Sequence, residues 1–129
     1  VYGANGQIIG TNKVLKMQDN CVLQENWLAS NSTNAGTSYN YFDKNDNTWN
    51  QVWISNTGNV LNLKGNISKD GIMVLKSKLM VGKKGNYYNQ ITWSKNNNGS
   101  VTQRWDILNE NSEPISKAFE GIYNKTDTD

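Results

Sequence analysis

The sequence predicts an all-β domain, an antiparallel up-and-down β-barrel of about 8–10 strands. Three observations predict it: turn signals that recur about every ten residues, period-two alternation of polarity between them, and no sustained helical period. The turns fall at Asn5-Gly6, Lys44–Asn47, Asn56–Asn59, Lys69-Asp70-Gly71, Lys84-Gly85-Asn86 and Asn98-Gly99. Asn-Gly and Asp-Gly favour the primed turns whose twist matches that of the flanking strands, so they read as hairpins.

Taken in order, residues 7–16 form the first strand after Asn5-Gly6, and residues 21–29 the second, with Leu23, Glu25 and Trp27 in phase on one face. Residues 13–23 come nearest to a helix, but they carry β-branched and polar residues without a capping pattern. Ser30–Gly36 is the one connection long enough to be a lid or rim loop, and it leads into a strand over 37–43. Residues 48–55 alternate cleanly, placing Trp49, Gln51 and Trp53 on one face against Asn50, Val52 and Ile54. Strands over 59–67, 72–80 and 87–95 follow, each set off by a turn. Residues 100–108 alternate again, with Val101, Gln103, Trp105 and Ile107 on one face, and a last strand covers 115–124. A meander of sequential hairpins without crossover helices leaves two exposed edges, and closure into a barrel is the simplest way to remove them. A two-sheet sandwich needs longer connections than these.

The chain of 129 residues is expected to be one domain over 1–129, long enough to bury roughly two thirds of its unfolded surface. Residues 125–129 are expected to form a flexible tail. The mean hydropathy of −0.74 and apolar runs of about three or four residues leave no stretch that spans a bilayer as a helix. A net charge of +2 with interleaved signs provides no basic stripe for nucleic acid. With one cysteine, Cys21, and no histidine, neither an intrachain disulfide nor the common zinc and haem ligand sets can be assembled, so no metal or cofactor is expected. The start at Val1 fits either a cleaved export signal or a trimmed chain. The abundance of asparagine reflects an AT-rich genome first and turn formation second; sequons such as Asn31-Ser32-Thr33 carry no inference of glycosylation.

Catalysis finds little support. A serine or cysteine nucleophile lacks a histidine base, and the pairs Ser77-Lys78, Ser94-Lys95 and Ser116-Lys117 are strand neighbours that point to opposite faces. Glycoside hydrolysis needs two carboxyl groups roughly 5–9 Å apart, for which Glu25 with Asp43, Asp106, Glu110 or Glu120 are the candidates. Glu25 also reads as a structural glutamate held by hydrogen bonds. The most distinctive residues are five tryptophans, Trp27, Trp49, Trp53, Trp93 and Trp105. Large rings fill cores, yet these travel in phase with Glu25, Gln51 and Gln103, and a dry core does not accommodate such groups without a bonding network. An apolar space with a few convergent polar groups is the pattern of a small-molecule site.

The segments Cys21–Trp27 (CVLQENW), Gly36–Asp43 (GTSYNYFD), Trp49–Trp53 (WNQVW), Ile91-Thr92-Trp93, Gly99–Trp105 (GSVTQRW) and Phe119–Tyr123 (FEGIY) resemble a widespread family of bacterial, often exported, proteins of unknown function with a lipocalin-like (calycin) barrel. The resemblance runs from Gly6 to Tyr123 and lends no activity. It implies an exported protein, periplasmic or extracellular, with the cytoplasm as the alternative. It also implies that the start of the first strand is missing before Val1. Members often carry arginine where Gln90 stands and tryptophan where Ile115 stands, leaving Arg104 and the lysines as substitute cationic anchors.

The resulting expectation is a non-enzymatic, lipocalin-like binding domain for a small, partly apolar molecule. Glu25, Asn40, Gln51, Gln90 and Gln103 supply polar contacts, and Trp27, Trp53, Trp93, Trp105 and Tyr123 the walls. The rivals are a carbohydrate-binding or weakly carbohydrate-active protein, which demands exposed tryptophans, and a structural domain with a filled core. The chain is expected to be a monomer, or a weak homodimer formed by strand addition at an open edge.

Overall fold

The computed structural model describes residues 1–126 of the chain. Its strands are β1 Gly10–Met17, β2 Val22–Ala29, β3 Ala35–Asp43, β4 Thr48–Ser55, β5 Val60–Ile67, β6 Met73–Lys76, β7 Tyr88–Lys95, β8 Val101–Leu108 and β9 Pro114–Tyr123, and no helix is present among the described residues. All pair antiparallel in sequence order within one sheet, which curls into a half-barrel. No helix is long and apolar enough to cross a membrane among these residues. Residues 125 and 126 are exposed and outside any strand; the rest of the expected tail, 127–129, lies outside the described residues.

The curl stops short of the closed barrel that the meander predicts, since β1 and β9 share no ladder. Residues 1–3 bridge them at one place. Tyr2 exchanges both backbone hydrogen bonds with Ile122 of β9, while Val1 accepts from Ile9 and donates to Gly10 at the start of β1. Beyond that bridge the outer edge of β1 pairs with no strand among the described residues. It exposes Val14, Leu15 and Met17, interspersed with Lys13 and Lys16, charges of the kind that discourage edge-to-edge pairing.

Strand β6 is half the length that residues 72–80 predict, because pairing with β7 turns irregular at Ser77: its N–H still donates to the Asn89 carbonyl at 2.9 Å, but regular pairing returns only as an isolated bridge between Met80 and Tyr87. Ser77 Oγ accepts from the backbone N–H of Asn89 at 2.9 Å and donates to the carbonyl of Lys78 at 2.8 Å, local bonds that compete with strand pairing. The β5–β6 ladder ends at Lys64 opposite Lys76, and Val60–Leu63 have no ladder partner on that side among the described residues. The β1–β2 turn is also costly: Gln18, Asp19 and Asn20 all adopt positive φ, where side chains are strained.

The register sets every inner residue. Trp27 faces Gly36, Ser38 faces Trp53, Gln51 faces Leu63, Leu75 faces Ile91 and Ile91 faces Trp105, so all share the concave side. Leu63, Leu75 and Ile91 are buried to 3%, 1% and 4% exposure, with Trp49, Leu61, Met73, Trp93 and Trp105 packed on them. That cluster fills one end of the interior. Beside it is an open space that Ile91, Leu61 and Trp105 also line.

Candidate functional site

Two glycines shape the open space. A Cβ on Gly10 would strike the ring of Trp27, and one on Gly36 the ring of Trp53, so each indole lies across a bare backbone on the neighbouring strand. Trp27 thereby reaches over β1 to meet Phe119 of β9 edge to face, with centroids 5.8 Å apart and planes at 84°. This contact covers the seam where the strands fail to pair.

Glu25 lies at the centre of the polar wall. Cross-strand pairing sets it opposite Ser38, whose Oγ donates to Oε1 at 2.7 Å. Gln51 Nε2 donates to the same oxygen at 3.2 Å and Asn12 Nδ2 to Oε2 at 2.8 Å. Asn40 stands behind this group, donating to Ser38 Oγ at 2.9 Å and to the carbonyl of Leu23 at 3.1 Å. Every partner is neutral: no ion pair among the described residues involves Glu25. Gln51 is 3% exposed, and its Oε1 is buried without a hydrogen-bond partner among the described residues. An orphaned acceptor of that kind costs about 1–3 kcal/mol.

On the facing wall, Tyr123 donates its hydroxyl to Gln103 Oε1 at 2.6 Å, and Trp105 donates its indole N–H to Asn89 Oδ1 at 3.0 Å. Burial first, and the nearby charge of Glu25 second, push the Tyr123 phenol well above its usual range. It therefore stays protonated and serves as a donor. Tyr123 also packs on Trp93, with centroids 5.4 Å apart.

Between the walls is a cavity of ≈ 610 Å³, lined by Glu25, Trp27, Gln51, Trp53, Gln103, Trp105, Phe119 and Tyr123 together with Asn12, Asn89, Ile91 and Leu61. It opens at a rim that includes Asn34 and Ala35 and continues past Val60, Met80 and Tyr87, where the β5–β6 ladder is interrupted. The rim loop after β2 is tied down: Asn56 Nδ2 donates to the carbonyl of Thr33 at 2.7 Å and the backbone of Ser30 to Ile9 at 2.9 Å. A second depression of ≈ 620 Å³ lies over the turns around Gly82–Tyr87 and Asn109–Asn111, with Ile107 and Ile115 in its lining and Tyr87 shared with the first.

Of the residues singled out in the sequence, Glu25, Trp27, Gln51, Trp53, Gln103, Trp105 and Tyr123 line this cavity. Asn40 and Trp93 share the inner face but support the wall from behind. Gln90 is a correction. It pairs opposite Lys76 and Asp106 on the outer face, one residue out of phase with Asn89, Ile91 and Trp93. Arg104 is also outside, donating to Asp106 at 3.0 Å, so it anchors nothing in the cavity. Asn12, Ser38, Asn89 and Phe119 are additions. The last two were accessible to the alternation, since Asn89 is in phase with Trp93 and Phe119 with Tyr123.

No second carboxylate lines the cavity beside Glu25, and no cluster of metal-ligating side chains occurs among the described residues. No protein-family profile, curated protein or solved structure matches the chain.

Proposed function

We propose that this chain is a lipocalin-like binding domain that holds a small, partly apolar molecule in the open half of its barrel. The observation that carries the proposal is the division of the interior: a packed cluster and, directly beside it, a ≈ 610 Å³ cavity walled by indoles and hydrogen-bonding groups. A chain selected only for stability would gain from filling that space, since burying a large aliphatic side chain is worth about 1.5–3 kcal/mol. Pockets of this size, mostly apolar with a few placed polar groups, are where small ligands bind.

All five tryptophans are partly buried and none is exposed, which favours an enclosed site over the exposed aromatic platform of a sugar-binding surface. With Glu25 the lone carboxylate among the lining residues, the geometry also lacks the acid–base pair of a glycosidase. Binding without chemistry is the reading these residues support best.

Titrating tryptophan fluorescence with a panel of lipids, sterols, small aromatics and sugars tests it. A saturable shift or quench with an apolar or amphiphilic class, accompanied by a raised melting temperature, is expected. Silence across every class overturns the proposal.

A further inference from the structure

The charge and hydrogen-bond inventory of the cavity goes further than its size, and specifies the head group it suits. Glu25 is the sole formally charged side chain among the lining residues, in a protein whose net charge is +2. Its carboxylate is held by three neutral donors, from Asn12, Ser38 and Gln51, and by no cation among the described residues. Gln51 spends its N–H on Glu25 and leaves Oε1 orphaned, so the cluster is one donor short. Both facts have the same sign: the polar wall carries uncompensated negative charge and unused acceptor capacity.

The surroundings of Glu25 suit a cation equally well. Trp27, Trp53, Trp105, Phe119, Tyr87 and Tyr123 line the same space, and the faces of such rings attract ammonium groups, by about 2 kcal/mol or more when water is excluded. Lysine and arginine are missing from the lining, so an anionic head group meets a carboxylate and ring faces with nothing to neutralise it.

We propose that the cavity selects amphiphiles with a positively charged amine or quaternary ammonium head, seated against Glu25 with the apolar body along Leu61 and Ile91, and that it rejects anionic amphiphiles. This rests on the reading of the cavity as a ligand site. Adventitious binding to the protein surface has the opposite preference, because the net charge of +2 attracts anions.

The test uses three probes of equal length, n-decylammonium, decan-1-ol and decanoate, each below its micelle concentration, titrated by calorimetry at low salt. The expected order is cation, then alcohol, then carboxylate, with at least tenfold between the first and last. In Glu25→Gln that ratio collapses towards one, provided circular dichroism and melting show the variant folded. Should the variant not fold, Asn59→Lys replaces it, adding a cation at an exposed position of the lining: the ratio of cation to carboxylate affinity must fall at least severalfold, and an unchanged ratio in that folded variant overturns the charge selection. Decanoate binding as tightly as decylammonium overturns the charge selection and leaves the ligand site standing, as does a cation preference that survives in folded Glu25→Gln. Failure of all three probes to bind overturns the site, and the selection with it.

Discussion

The two walls of the interior follow one alternation rule and reach opposite chemistries. On β5, β6 and β7 the inward positions are mostly apolar: Leu63, Leu75 and Ile91 close on one another with Leu61 beside them, and Asn89, which accepts from the Trp105 indole, is the polar exception. On β1 to β4 the matching positions include Asn12, Glu25, Ser38, Asn40 and Gln51, which close through hydrogen bonds around one carboxylate. The first wall stabilises the fold, because apolar burial is favourable and non-directional. The second contributes less than its bonds suggest, since each replaces one to water and the carboxylate at its centre is partly stripped of its hydration. What it contributes is a fixed pattern of donors and acceptors. Division of labour between walls is what a binding scaffold needs: rigidity on one side, recognition on the other.

The comparison breaks first at the apolar wall. Leu75→Ala empties the most buried position and is expected to cost about 2–5 kcal/mol, read as a lower denaturant midpoint. Ligand affinity in the folded fraction should change far less, because Leu75 does not line the cavity. Next comes Gly36→Ala, whose methyl group collides with the Trp53 ring. Overpacking of this kind costs about 1–3 kcal/mol and drives the indole into the hollow, so affinity is expected to fall together with stability.

Ser38→Ala probes the polar wall alone. It removes one of the three donors to Glu25 and is expected to cost about 1–3 kcal/mol by leaving a buried acceptor under-satisfied. The smallest effect is at high pH. Tyr123 has a raised pKa in the fold, so above the ordinary tyrosine value of about 10 the unfolded chain releases a proton that the folded one keeps. Stability must therefore fall as pH rises past that value, and Tyr123→Phe is expected to flatten the alkaline slope, measured by denaturation at pH 9 and above.

The strands were legible because alternation and turn signals are local properties. Each predicted segment became a strand, and the tryptophans and glutamines sharing a phase in 48–55 and 100–108 do share the inner face. Gln90 differs for a physical reason: only the resemblance points to it, while the phase of Ile91 and Trp93 assigns its neighbour Asn89 to the interior. Ser38 and Asn12 were less accessible, since alternation orients a residue but does not name its cross-strand partner. The early end of β6 depends on one hydroxyl at Ser77, and the bridge through Tyr2 on contacts about 120 residues apart in sequence. Neither leaves a local pattern.

The central claim is that one half of the interior is open to a ligand and the other is not, and the indole N–H resonances of the five tryptophans report on both halves at once. Assigned by single Trp→Phe replacements and followed in a ¹H–¹⁵N spectrum during titration with decan-1-ol, the signals of Trp27, Trp53 and Trp105 are expected to move saturably. That of Trp49, which packs on the Leu63–Leu75–Ile91 cluster as Trp105 does but does not line the cavity, should stay in place. Equal movement of all five, or of Trp49 alone, would contradict the division of the barrel into a packed half and a binding half.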